Sequence, residues 1–386
     1  MSGFLRSRRA VGVLLAVLVV HIVLGVATFG PSTSLSLTDV PVGLVDEDGG
    51  ELGSVFVAAE LEVLAWQEVE SRTALHEGLD DRAFAAGLII PAGAGDTLAA
   101  LAAGGTEPVT LELRTNPGRN AESAQAAAQA ITGLVAAAAD EQRSALLEAA
   151  SAADTDVAPA AVAALAAPLT LETTAVHAPA GPAQAATPLV LVAMLWIGSL
   201  VAMLITFLSL HRDDSTPGRF LSAQLLIMAA LAVLQPLSII AVGNLLLGLD
   251  LALTWPLWAT LALTTAMFFL LQSAVLNWFG FGGWPILVLL WLFSFTLLAV
   301  PIEGLAAGYR ILVASWLPAR FPYEALQGLL FFDGAGHTAR ALAITAGLTV
   351  GGLTALLASW LRLARSDLRV HPLARRLART ADTDAG

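Results

Sequence analysis

The sequence predicts a polytopic α-helical membrane protein, with six transmembrane helices and an extracytoplasmic α/β domain inserted between helices 1 and 2. Three observations predict it. The 386 residues are 57% hydrophobic with a mean hydropathy of +0.76, above the roughly 45–50% apolar usage of soluble domains. Six apolar runs are each about as long as a bilayer crossing requires, near 20 residues. Between the first and second runs lies a long polar stretch with alternating strand and helix signals.

The runs are Ala10 to Phe29, Pro188 to Leu210, Phe220 to Leu247, Trp255 to Leu276, Trp284 to Ile302, and Ala341 to Leu361. The third is long enough to need tilt or a bend, and Pro236 in its middle removes a backbone hydrogen bond that would otherwise keep it straight. An even number of spans puts both ends on one side. Arginine in short flanks chooses that side: Arg6, Arg8 and Arg9 precede the first run, Arg212 and Arg219 lie between the second and third, and Arg362, Arg365, Arg369, Arg375, Arg376 and Arg379 follow the sixth. The expectation is a multi-pass protein of the cell membrane with both termini cytoplasmic. Arg310, Arg320 and Arg340 then fall at the outer side, against the trend. The divisions are 1–30 (stub and helix 1), 31–187 (outer domain), 188–361 (five helices, with an outer re-entrant segment at 303–337) and 362–386 (basic tail). A cleaved signal peptide is the alternative for the first run, since Gly25 and Ala27 are small enough for a cleavage site. Its apolar stretch is longer than the usual 7 to 15 residues, which favours an uncleaved anchor.

In the outer domain, Val40 to Val45 reads as a strand ending in the turn Asp46-Glu47-Asp48-Gly49. Glu51 to Ala65 reads as a helix, Trp66 to Glu70 as a strand, Thr73 to Asp80 as a helix and Ala85 to Ile90 as a buried strand stopped by Pro91. Thr97 to Ala103 is helical and Val109 to Arg114 extended. Ala121 to Ala153 is a long helix with Asn120 as its cap and Glu122 in its first turn. Leu169 to Val176 closes the set.

Composition excludes several chemistries. There is no Cys, hence no disulfide or thiolate site, and all 19 basic residues are Arg. Without Lys there is no Walker A loop and no Schiff base. The net charge of −12 and a pI near 4.9 argue against nucleic acid, which wants a clustered basic surface. The acidic turn lacks the third ligand and glycine spacing of an EF-hand and reads as a solvated turn. His76, His177 and His337 lack the pairing of a zinc site, and no nucleophile elbow is present. No catalytic, cofactor or metal residue is therefore assigned, and no enzymatic activity or cofactor is expected.

Polar side chains within the runs carry more information, because each is costly in lipid. Gln224 and Gln235 share one face of the third run, and Asn244 and Gln272 join them as candidates for a polar cavity wall; interhelical hydrogen bonding is the plainer reading. No charge sits mid-span, which counts against a proton or sodium relay. Gly347, Gly351, Ala355 and Ser359, at four-residue intervals, form a small-residue stripe suited to close helix packing, within the chain or with a second copy. The segment Glu303 to His337 is apolar but broken by Gly304, Gly308, Pro318 and Pro322. It suits short helices dipping into the outer leaflet, as an outer gate in which Glu303 and Arg310 share a face, or as an interfacial loop anchored by Trp316 and Tyr323. The basic tail suits anionic lipid, at about 1 kcal/mol per Arg near the surface.

One N-terminal helix, an outer α/β domain and five further helices resemble the ABC-2-type permease superfamily, in particular its YhgE/Pip branch. Local matches carry the resemblance. Pro41-Val42-Gly43-Leu44-Val45-Asp46-Glu47-Asp48-Gly49 is similar to that branch's opening strand and acidic turn, and Ala86-Gly87-Leu88-Ile89-Ile90-Pro91 to its later strand. Leu113-Arg114-Thr115-Asn116-Pro117-Gly118-Arg119-Asn120 resembles the segment before its long helix. Pro301-Ile302-Glu303-Gly304 and Trp316-Leu317-Pro318, leading to Tyr323-Glu324-Ala325-Leu326-Gln327-Gly328, resemble its outer re-entrant region. The resemblance implies a membrane subunit that dimerises and exports a substrate above a separate ATPase. The inner loops depart from that pattern: His211 to Arg219 is short and Asn277 to Gly283 is uncharged, leaving an ATPase little surface. The competing expectation is a non-transporting membrane protein whose outer domain binds a partner, as a secretion accessory or phage receptor does.

Overall fold

The computed structural model describes residues 22, 25–26, 37–59, 61–152, 159–212 and 217–365. The first apolar run, apart from three of its residues, lies outside that range. So do Arg6, Arg8 and Arg9 and the tail beyond residue 365.

The sheet domain holds five strands: β1 (Val40–Asp46), β2 (Leu64–Glu68), β3 (Ala86–Ile90), β4 (Val109–Thr115) and β5 (Leu169–Ala175), in the order β2-β1-β3-β4-β5. β1 is parallel to β2 and β3, β3 is antiparallel to β4, and β4 is parallel to β5. Strand alternation gives the sheet two different faces. Val40, Val42, Leu44, Leu88, Ile90, Leu111 and Leu113 point to one of them and form its core with Leu52 and Phe56 of α1 (Glu51–Ala58) and Ala94 of α3 (Ala94–Ala102). Ala127, Ile131, Val135 and Ala138 of α4 (Ala121–Ala152) complete that core, a stripe at helical spacing that lays α4 along the sheet. The other face is covered over β1 and β3 by α2 (Arg72–Asp80), whose Leu75 sits on the backbone. That approach needs glycine beneath it: a Cβ at Gly43 or Gly87 would stand 2.4 or 2.6 Å from a Leu75 methyl. Over β4 and β5 this face carries a shallow polar depression of about 410 Å³ lined by Glu112, Arg114, Glu172 and Thr174.

Two features of this domain differ from the sequence reading. The helix expected over Glu51 to Ala65 ends at Ala58, because Asp39 and Val40 donate to the carbonyls of Glu62 and Val63 and bring the chain into β2 at Leu64. Strand pairing to a buried neighbour overrides local helix propensity. An additional helix, α5 (Pro159–Ala166), packs Ala164 and Leu165 on Leu101 and Leu146; its alanine-rich sequence has no polar rhythm to reveal it. Asn120 does cap α4, accepting from the Ser123 amide at 2.9 Å.

The second part is helical: α6 (Pro182–Arg212), α7 (Pro217–Leu247), α8 (Trp255–Phe279), α9 (Trp284–Leu298), the short α10 (Arg320–Phe331) and α11 (Thr338–Arg365). α6 starts at Pro182, whose ring suits a first helical position, and carries Pro188 inside it. Thr254 caps α8, accepting from the Leu257 amide at 3.4 Å. A 3-10 turn, Gly280–Gly283, then reverses the chain into α9. Leu287 at the start of α9 packs with Phe269 and Leu276, whereas Leu298 at its end packs against the cluster of Leu257 and Leu261.

Four stretches among the described residues are long and apolar enough to cross a membrane: Pro182–Ser209, Gly218–Leu247, Trp255–Leu298 and Thr338–Leu361, with mean hydropathies of 2.5, 2.5, 1.9 and 1.9. The third contains both α8 and α9. α9 has 15 residues, a length of about 22 Å against a hydrocarbon core of about 30 Å. The outward faces are as apolar as the interior. On α6, Ile197, Val201, Ile205 and Leu208 are exposed while Leu195, Trp196, Met203 and Phe207 are buried. A helix apolar all round fits lipid rather than water.

Candidate functional site

The polar side chains of the structure converge where the sheet domain meets the helices. Four pieces of the sheet domain reach this seam: the strand entry at Thr38, the loop 81–85 after α2, the link 116–120 between β4 and α4, and His177 after β5. The helical part contributes a 3-10 turn at Ile302–Gly304, the helix α10 and the start of α11.

Glu303 is the centre of one corner. Its side chain is 6% exposed and forms an ion pair with Arg119, while its other carboxylate oxygen accepts from the Ser123 hydroxyl at 3.1 Å. Arg119 also donates through Nε to the carbonyl of Arg82 at 3.0 Å, so its fork is fixed on both sides. Gln327 of α10 donates to the carbonyls of Gly118 and Arg119 at 3.0 and 2.6 Å. The loop carrying Arg82 is held by Asn116, which donates to the carbonyls of Leu79 and Phe84 at 2.7 and 3.3 Å. Arg82 crosses to the helices, donating to the Glu324 carbonyl at 2.9 Å and lying over the Phe332 ring at 5.4 Å. Burial pushes its guanidinium below the ordinary arginine value, with Glu324 and Asp81 acting in the opposite direction. At the third corner His177 stands between Asp80 and the Phe331 carbonyl.

No family model, curated protein or solved structure matches the chain.

The candidates read from the sequence fall in different places. Glu303 lies in the seam, but Arg310 does not share its face: the helix breaks after Gly304, and Arg310, in a π-turn at Arg310–Ala314, is exposed. Gln224 of α7 exchanges hydrogen bonds with Asn277 of α8 at 3.2 and 3.1 Å, and Asn277 donates to Ser359 of α11 at 3.3 Å. Gln235 donates to the α6 carbonyls of Met194 and Leu195 at 3.2 and 3.3 Å, and Gln272 to that of Trp196 at 3.2 Å. Gly198 makes room for this, since a Cβ there would stand 2.2 Å from the Gln235 amide nitrogen. Asn244 is local, holding Leu251 through both backbone groups at 2.8 and 2.6 Å. Of the small-residue stripe on α11, Ser359 is buried and Ala355 half-buried, while Gly347 and Gly351 are exposed with nothing within 4 Å of an added Cβ. The helix packs on α8 through Gly352 instead, where a Cβ would lie 3.1 Å from Leu270.

In the acidic turn Glu47 pairs with Arg72 at 2.9 Å, while the two aspartates are engaged by backbone. Asp46 accepts from the amides of Asp48 and Gly49 at 3.0 Å each, and Asp48 from Gly95 at 3.2 Å. Among the described residues no group of three His, Asp or Glu side chains is arranged to hold a metal. Sequence reading did not single out Arg82 and gave Asn116, Arg119, His177 and Gln327 no place in a site. The signal available was charge: the segment Gly30 to Thr187 has five Arg among 22 acidic residues, and two of the five serve the seam.

Proposed function

We propose that this chain is an ABC-2-type permease-like subunit of an exporter, with six spans, both termini in the cytoplasm and the sheet domain outside. The observation that carries this reading is the broken segment 302–331. It packs on the helical bundle through Ala319 and Leu326 and grips the sheet domain through Glu303, Glu324 and Gln327. A segment held at both ends couples any displacement of the helices to the domain above them, which suits transport across the outer leaflet. The interior amides of Gln224, Gln235 and Gln272 are the polar groups a passing substrate would meet, and no mid-span charge competes with them. Purification in mild detergent is expected to recover a dimer together with a separate ATPase whose hydrolysis depends on this chain. A clean monomer with no nucleotide-binding partner would sink the reading.

A second reading, a non-transporting protein whose outer domain binds a partner, is favoured by the same amides being engaged between helices rather than facing a cavity. Opening the seam with Arg119→Ala separates the two: a binder keeps partner capture, whereas an exporter loses export.

A further inference from the structure

His177 follows β5 with a positive φ of 52°, which aims its ring across the seam. Nε2 lies 2.7 Å from Oδ1 of Asp80 in the sheet domain, and Nδ1 lies 2.9 Å from the carbonyl oxygen of Phe331. A carboxylate and a carbonyl only accept, so both contacts are hydrogen bonds only while both ring nitrogens carry protons. Phe331 is the last residue of α10. Its carbonyl is one of the orphan acceptors at a helix C-terminus, where a cation is favoured.

We infer that His177 is a proton-operated latch between the sheet domain and the C-terminal end of α10. A neutral ring keeps one hydrogen, and the two acceptors compete for it. The charged Asp80 holds it, because a charge-assisted bond is roughly twice as strong as a neutral one. Nδ1 then turns a lone pair toward the Phe331 oxygen, and the bond that crosses the seam is lost. The latch is therefore closed on the acid side and open on the alkaline side, and docking of α10 is tied to uptake of one proton.

Several charged and titratable groups surround the latch. From α2, His76 approaches the other Asp80 oxygen at 3.7 Å. In the following loop are Asp81 and Arg82, and Arg82 shares the Phe332 ring with His177, whose own ring centroid is 4.5 Å away. On α10, Glu324 is paired with Arg320 at 2.5 Å; Asp333 follows the helix, and His337 and Arg340 stand at the start of α11. Glu303 and Arg119 bind each other at the far corner, so opening the latch loosens one end of α10 and leaves the domain attached.

The test is hydrogen–deuterium exchange on the full chain in lipid nanodiscs at about pH 5 and about pH 8, the range over which histidine changes charge. Wild type, His177→Gln and His177→Arg are compared at the same pH, so that the chemical exchange rate cancels. In the peptide spanning Leu326 to Ala335, wild type should match the Arg variant in acid and exchange about tenfold faster than it in alkali, the factor set by one charge-assisted hydrogen bond. The Gln variant should exchange fast at both. The latch is wrong if wild type tracks the Arg variant at both pH values, or tracks the Gln variant in acid. Peptides of β3 report the fold. If the Gln variant loses protection there, Asp80→Asn takes its place: removing the charge that retains the proton should shrink the difference between the two pH values, and an unchanged difference contradicts the proposal.

Discussion

The seam and the interior of the helical bundle both bury polar groups, but of different kinds. The seam uses charges: Glu303 with Arg119, and Arg82 on the Glu324 carbonyl of α10. The bundle uses neutral amides: Gln224 with Asn277, and Gln235 and Gln272 on α6 carbonyls. Burying an ion costs several kcal/mol unless donors surround it, and the sheet domain brings those donors, Ser123 and the fixed fork of Arg119, down onto Glu303. Within the bundle a neutral amide bonded to a spare carbonyl lone pair joins two helices without desolvating a charge. Charge thus marks the place where the sheet domain meets the helices, with the amides of Gln327 and Asn116 beside it, whereas neutral amides join the helices inside the bundle.

That contrast is open to attack by substitution. The largest effect is expected from Glu303→Ala, which leaves Arg119 buried without its partner; breaking such a pair costs about 3–5 kcal/mol, read from unfolding of the full chain in detergent. Glu303→Gln should cost less, since its amide oxygen still accepts. A stability change within about 0.5 kcal/mol for the alanine variant would mean that the seam is wetter than drawn.

Next in size is Gly198→Ala. The new Cβ, 2.2 Å from the Gln235 nitrogen, forces that amide off two carbonyls and costs about 1–3 kcal/mol. In a Gln235→Ala background the same change should be close to neutral, which isolates the steric cause. Gln224→Ala should cost only about 0.6 kcal/mol, the average for an interhelical hydrogen bond in lipid. A loss several times larger would give that amide a role beyond packing.

The smallest effect belongs to Gly347→Ala with Gly351→Ala, where nothing lies within 4 Å of either new methyl; stability should stay within about 0.5 kcal/mol. If the pair instead changes the size of the detergent-purified particle, a second copy of the chain packs on the stripe.

The architecture was legible to different depths for physical reasons. Apolar runs showed the helices, because lipid demands uninterrupted length. Strands β1, β3 and β4 showed through their apolar bursts and turn residues. The end of α1 did not, because it is decided by pairing of Val40 with residues more than twenty positions on. The seam was hidden for the same reason carried further. Arg82 and Glu324 are 242 positions apart, and Arg119 and Glu303 are 184 apart; no local spacing encodes such a meeting. Glu303 was found only because a carboxylate in an apolar stretch is costly, whereas Arg310, read beside it, is exposed.

The measurement that bears most directly on the seam is a double-mutant cycle between Arg119→Ala and Glu303→Ala, read by unfolding of the full chain in one detergent. If the two side chains form the buried pair that joins the domains, the double variant should be less destabilised than the sum of the singles by at least about 1.5 kcal/mol, the lower end for close charge pairs. Additivity within about 0.3–0.5 kcal/mol, as for residues that do not touch, would contradict it.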